Sequence, residues 1–304
     1  MKAIVCERYG PPEVLVLREV DKPRPKRGQL LVRIRAAAVT SGDCRIRAFR
    51  VPPQLWLMSR IVLGITKPRR KILGLWFSGV VEEVGDNVTK FRVGDEVWAR
   101  TRDMDFGAYA EYIAISQDAP FISRKPANAT FEDAAAVPFG ALAALYFLRK
   151  GGIAPDYKVL VYGASGSVGT AAVQIANNLQ AHVTAVASTS HVQRLGELGA
   201  DAVIDYTKEE YGRSAEKYDL IFDEVGKTSL RVAQEVLRPT GAYMSVISSG
   251  HSDPKPADSD LIRDMVESGS YDSVIDECYD LEDMVAAQRY VETGHKFGNV
   301  VVRM

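Results

Sequence analysis

The residues with the clearest chemical capacity are Gly163, Ala164, Ser165, Gly166, Ser167, Val168 and Gly169, which form a G-x-x-G-x-x-G turn. The apolar run Val159, Leu160, Val161 stops at this turn, and Ala171 to Gln180 follows with helical spacing. In a strand–turn–helix context, glycines let the backbone turn tightly and approach an anion. The helix N-terminus adds N–H groups and partial positive charge. The chemistry expected is binding of a dinucleotide pyrophosphate. The bare motif also fits a tight turn with no ligand, since its spacing is not the commoner G-x-G-x-x-G. Ser165 and Ser167 have no His and acid spaced with them for a hydrolase triad.

A second group follows the next strand, His182–Ala187, in Ser188-Thr-Ser190-His-Val-Gln-Arg194. Dinucleotide folds that take NAD place an Asp or Glu here, on the ribose 2′-OH. No acid stands in this stretch. Hydroxyls and Arg194 would receive a 2′-phosphate that an acid would repel, so NADPH is expected over NADH. The alternatives are a helix N-cap for Ser188 and Ser190 and a solvated helix face for Arg194.

The elements that must position these groups follow from periodicity. To about Ile122 the chain reads as short strands, including Lys2–Cys6, Gln29–Ala38 and Gly79–Val84, punctuated by Gly/Pro turns. That pattern suggests a β-barrel-like domain. A less regular insert, Ala48 to Lys71, ends in Lys67-Pro-Arg-Arg-Lys71, read as a solvated loop. Thr130 is placed to cap a helix, and a second helix is expected over Ala141–Lys150. Strands and helices then alternate, which means βαβ units and a parallel sheet. The tail, with a final strand Asn299–Arg303, returns to the first style.

Length and charge exclude several classes. The 304 residues allow about two domains. The 38 Lys and Arg against 39 Asp and Glu give a net charge of −1, which suggests neither nucleic acid nor a membrane as the main partner. Cys6, Cys44 and Cys278 are few and scattered, as in a reducing compartment without disulfides. No apolar run approaches a membrane span, so a cytosolic protein is expected.

Blocks along nearly the whole chain resemble the medium-chain dehydrogenase/reductase superfamily, in its zinc-free quinone oxidoreductase-like (zeta-crystallin-like) branch. They include Pro23-Arg-Pro, Gly79-Val-Val-Glu-Glu-Val-Gly85-Asp-Asn-Val, Phe91-Arg-Val-Gly-Asp-Glu-Val-Trp98, Gly107-Ala-Tyr-Ala-Glu-Tyr112 and Leu198-Gly-Ala-Asp-Ala-Val-Ile-Asp205. The resemblance implies an α/β protein with two domains. A GroES-like β-barrel domain is expected over 1–125 and 272–304, and a Rossmann domain with a doubly wound parallel sheet over 126–271. Substrate would lie in the cleft. The implied reaction is hydride transfer from NADPH to a small quinone or α,β-unsaturated carbonyl. Tyr206 matches a position that often contacts the 2′-phosphate, and Thr40 stands where many quinone reductases carry an Asn near the nicotinamide.

In the zinc-dependent branch a Cys and a Gly-His-Glu supply ligands. The matching positions here are Thr40, Leu75 and Trp76, none a useful ligand, so no metal is expected. Other departures are Arg45 for a substrate-pocket Tyr, Ala143 for a Thr beside the nicotinamide, and Ser190 for a frequent Lys. Between Ile247 and Leu261 relatives carry some tens of residues more, so the sheet is expected to end after its fifth strand. The relatives' usual homodimer is thereby put in question. The rival readings are a cofactor-binding or structural protein without turnover and an NADP-dependent aldehyde or alcohol reductase.

Overall fold

The computed structural model describes the chain except residues 103–104, 214–215, 227, 229, 247 and 250–255. It divides into two units, Met1–Ala136 with Ile275–Met304, and Val137–Val274.

The first unit contains β1 (Lys2–Cys6), β2 (Leu15–Glu19), β3 (Gln29–Ala38), helices α1 (Ser41–Ala48) and α2 (Trp56–Leu63), then β4 (Trp76–Val84), β5 (Glu96–Arg100), β6 (Tyr112–Ser116) and β7 (Phe121–Arg124). Helix α3 (Phe131–Lys150) follows. The second unit supplies β8 (Lys158–Tyr162), α4 (Ser167–Asn178), β9 (His182–Ala187), α5 (Val192–Glu197), β10 (Ala202–Asp205) and β11 (Tyr218–Asp223), with α6 (Leu230–Val236), β12 (Leu237–Ser245) and α7 (Pro256–Glu267) after them. The chain ends in the first unit with β13 (Ile275–Asp280), α8 (Met284–Glu292) and β14 (Asn299–Arg303).

In the first unit β3 is the hub. Its ten residues alternate enough to bury Leu30, Val32 and Ile34, and it pairs antiparallel with β4, β6 and β14. Its register against β4 shifts twice, after Leu31 and after Ile34, and irregularities of this kind bend a strand. In the second unit all five strands are parallel, in the order β10-β9-β8-β11-β12. Val159, Leu160 and Val161 on β8 are fully buried, as a central parallel strand covered on both faces requires. The order reverses at β8, so the loop after β8 stands at a topological switch point. The sheet has five strands among the described residues, as expected.

Four expectations need correction. The insert is irregular only in part: within it Trp56–Leu63 is a helix. The two helices expected around Pro138 are one, α3. Pro138 stands inside the helix, where it forfeits its own N–H bond and its ring crowds the Ala134 carbonyl. The apolar length of α3 would suffice for a membrane span, yet 67% of that stretch is buried inside the protein. Its first two turns pack Ala135 and Ala136 against Ala36 and Val301, which is why the break between units falls inside the helix rather than before it. β7 was not foreseen, being four residues long. The stretch from Ser248 to Asp260, whose polar, Pro-containing composition reads as a loop or linker, lies partly outside the described residues, and its end belongs to α7. Ile262, Met265 and Val266 recur at helical spacing and are buried, and Asp258 in the first turn pairs with Arg149.

Candidate functional site

The glycine turn is built as its sequence implies. Gly163 adopts φ +82°, a left-handed conformation that favours glycine. Its N–H and that of Ala164 both donate to the Val186 carbonyl of the neighbouring β9, at 3.2 and 3.1 Å. A Cβ on Gly169 would collide with the Gly163 carbonyl and with Ala164, so Gly169 is the point where α4 packs against the turn. Gly166 is the N-cap of α4 and brings no side chain to cap it. The first N–H groups of a helix lack intrahelical partners, and the N-cap residue itself offers them none.

Gly166 differs from the other two glycines in what faces it. The three atoms nearest a Cβ there would all belong to the Glu224 carboxylate, its oxygens at 3.1 and 3.3 Å. The space over Gly166 is thus a cradle whose nearest neighbour is a flexible, negatively charged side chain. Glu224 is brought there by Asp223, the last residue of β11 and fully buried. One Asp223 oxygen accepts from Val225 N at 3.0 Å and Gly226 N at 2.7 Å, and the other from the Tyr243 hydroxyl at 3.0 Å. These bonds fix the loop after β11 against the turn. Neither Asp223 nor Glu224 was among the residues singled out from sequence. Their role depends on β8 pairing with β11, and the only local signal is an Asp closing an apolar strand-like run.

The pairing of β9 with β10 sets Asp205 opposite Ala187 and so brings Ser188, Ser190 and Tyr206 to one sheet edge. The Ser188 and Ser190 hydroxyls lie 3.1 Å apart, Ser188 makes no side-chain cap bond, and Tyr206 is 54% exposed. Arg194 is exposed on α5, one turn further along. The nearest acid, Asp205, is occupied. It accepts from Thr189 and Thr207 hydroxyls, both at 2.6 Å, and pairs with Lys208 at 3.0 Å. The two hydroxyls hold its carboxyl well below the usual carboxylate range. A cavity of about 660 Å³ lies beside this edge, with Tyr162, Tyr206, Tyr211 and Thr228 in its wall. That volume is in the range of small-molecule sites. Glu209 and Glu210 also line it, so an added phosphate would be better received on the Ser188 side.

In the first unit, Thr40 is the N-cap of α1 and only 5% exposed. Its hydroxyl donates to Asp43 Oδ2 at 2.6 Å, its N–H donates to the same oxygen at 2.9 Å, and its hydroxyl accepts from Asp43 N at 3.2 Å. This capping box makes Asp43 a structural partner whose carboxyl is pushed up by complete burial. At the other end of α1, fully buried Arg47 pairs with Glu292 of α8 at 2.5 Å and donates to the Gly10 carbonyl. The cap is therefore held on a helix pinned at both ends. Tyr109 is fully buried, its hydroxyl 3.3 Å from the Ala38 carbonyl, and Trp76 and Phe77 are buried in the first unit. Burial pushes the Cys44 thiol up to about 12, the opposite of a nucleophile's requirement. Arg45 is exposed and Ala143 is half-buried. Among the described residues no group of three or more His, Cys, Asp or Glu side chains could hold a metal ion.

A parallel sheet with a glycine turn at its switch point, joined to a β-rich unit made from both chain ends, defines a two-domain dinucleotide-binding protein. Two family models match this chain: the alcohol dehydrogenase GroES-like domain over residues 26–126, and the zinc-binding dehydrogenase domain over 167–286. A 2-methylene-furan-3-one reductase of Solanum lycopersicum is 31% identical over 99% of this chain and 79% of its own length. A chloroplastic NADPH-dependent alkenal/one oxidoreductase of Arabidopsis thaliana is 30% identical with the same coverage. The quinone oxidoreductase of Coxiella burnetii superposes with a TM-score of 0.85 at 25% identity, over 100% of this chain and 99% of that one. The chain belongs to the medium-chain dehydrogenase/reductase superfamily.

Proposed function

We propose that this protein is a zinc-independent, NADPH-dependent reductase of conjugated carbonyl compounds, either quinones or α,β-unsaturated ketones and aldehydes. The observation that carries the reading is the cradle over Gly166, where an anion can approach backbone N–H groups at the start of α4 with no Cβ in the way. The relatives named for alkenal/one and furanone reduction support the reaction class. Thr40, Leu75 and Trp76 supply no zinc ligand set, which supports independence from the metal. The three cysteines, Cys6, Cys44 and Cys278, are thiols, which fits a reducing, cytoplasmic setting.

NADPH supplies the hydride when bound. The chain's residues bind and orient: Gly163 to Gly169 hold the pyrophosphate, and Ser188, Ser190, Arg194 and Tyr206 receive the 2′-phosphate. Thr40 is the polar group assigned to the reacting carbonyl. Its hydroxyl hydrogen points to Asp43, so it can be donated to a developing oxyanion only if Asp43 gives it up. The hydroxyl has one hydrogen, so its bond to Asp43 Oδ2 and a bond to substrate exclude each other. The same engagement of Thr40 favours, as a second reading, a protein that binds NADPH without turnover. Titration with NADPH and NADH, then NADPH consumption with a small quinone, separates these. Turnover with tight NADPH binding is expected; binding without turnover supports the second reading, and binding of neither nucleotide overturns both.

A further inference from the structure

The near-zero net charge of the chain hides a strong local asymmetry. Between Asp43 and Glu82 the sequence holds eight Lys and Arg and no acidic residue. Within this stretch α2 is turned the wrong way round for an ordinary surface helix. Its Arg60 faces inward, with the guanidinium 3.8 Å from the Phe49 ring centre, 5.0 Å from Trp56 and 5.2 Å from Tyr9, and it donates to the Ile65 carbonyl at 2.7 Å. Leu63 packs on the first unit's core. The opposite face is apolar and solvated: Leu57 is 68% exposed, Met58 63%, Ile61 53% and, just beyond the helix, Ile65 70%. Soluble monomers rarely leave such a face bare. Immediately after it come Lys67, Arg69, Arg70 and Lys71, all exposed.

We propose that α2 and the Lys67–Lys71 turn form a docking surface for an anionic phospholipid bilayer. Leu57, Met58, Ile61 and Ile65 would enter the boundary between headgroups and acyl chains, while the four cations meet lipid phosphates. Charge complementarity decides the occupant. In a two-fold contact with a second copy, the same four cations would oppose each other; Asp105 pairs with Arg70 at 3.1 Å, and no acid lies between residues 44 and 81 to relieve the others. A nucleic acid would leave the aliphatic face unused. The proposal is independent of the catalytic reading. It gains a purpose beside it, since apolar quinones and enones dissolve in bilayers.

The full-length protein should sediment with phosphatidylcholine vesicles containing phosphatidylserine and far less with phosphatidylcholine alone. Tryptophan emission reports the contact selectively, because Trp56 is 49% exposed whereas Trp76 and Trp98 are 6% and 0%; a blue shift is expected with the anionic vesicles and not in Trp56→Phe. Each cation at an anionic surface is worth roughly fivefold in partitioning, so Lys67→Gln/Lys71→Gln should weaken binding by roughly 25-fold. Leu57→Gln/Ile61→Gln should abolish the shift while leaving the thermal melt and NADPH titration unchanged. Absence of binding to anionic vesicles, or equal binding by these variants, overturns the proposal. So does a parent dimer that Leu57→Gln/Ile61→Gln converts to monomer without any vesicle binding in the parent.

Discussion

Replacing Glu224 by Gln should tighten NADPH binding. The carboxylate oxygens lie 3.1 and 3.3 Å from where a Cβ on Gly166 would stand, in the space assigned to the pyrophosphate. Two anions cannot share it, so the carboxylate must rotate away. Tethered to its own backbone, it would remain roughly 8 Å from the bound pyrophosphate, where two unit charges at an effective dielectric of about 20 repel by about 2 kcal/mol. Physiological salt, with a Debye length of about 8 Å, reduces this to about 1 kcal/mol. That corresponds to about a fivefold lower Kd for Glu224→Gln. Fluorescence titration of parent and variant measures the ratio directly, and the ratio should shrink towards one as salt rises. Gln preserves the side chain's length, so lost packing cannot mimic the effect, and a melting curve checks the fold. A Kd that is unchanged, or weaker in the variant, would refute the competition while leaving NADPH binding itself intact. Failure of the parent to bind NADPH would refute the functional reading instead.

Gly169→Ala would drive a methyl into the Gly163 carbonyl and Ala164 backbone; it should cost about 3 kcal/mol in urea unfolding and lose NADPH binding together with stability. Thr40→Val should lower kcat with a conjugated enone by about a hundredfold with little change in NADPH affinity, and Thr40→Ser should restore most of it. Equal activity in all three forms would remove Thr40 from the reaction. Asp205 has a folded-state pKa held below its unfolded value, so its stabilisation is full above the ordinary Asp pKa of about 4 and is lost as pH falls through the lower folded value. Acid unfolding profiles should therefore be less steep below about pH 4 in Asp205→Asn than in the parent, and identical profiles would show that the Thr189 and Thr207 bonds are not formed in solution.

What could be read from the residues alone was what is local. The turn from Gly163 to Gly169 announces itself because strand, glycines and helix are contiguous, and β3, β9, β10 and β14 have the limits that their apolar runs imply. Thr40 shows the limit of that approach. Taken as a group near the nicotinamide, it is also the first residue of a Thr-x-x-Asp capping box, as Thr130 is with Asp133, and the structure displays the second role. Both roles share one hydroxyl, whose single hydrogen can go to Asp43 or to a substrate oxygen but not to both. Glu224 was illegible for a different reason: nothing near residue 224 says that parallel pairing of Asp223 with Tyr162 will set the next residue's charge over Gly166. Helix α2 was misread because its apolar residues face solvent, so periodicity, which infers a helix from the face it buries, had no buried face to point to. In each case the missed feature is one where local preference and global placement disagree, and these disagreements fall at the glycine turn, the cap of α1 and the exposed helix. Sequence consistency builds the scaffold; the residues that depart from it are where this chain differs in what it can bind.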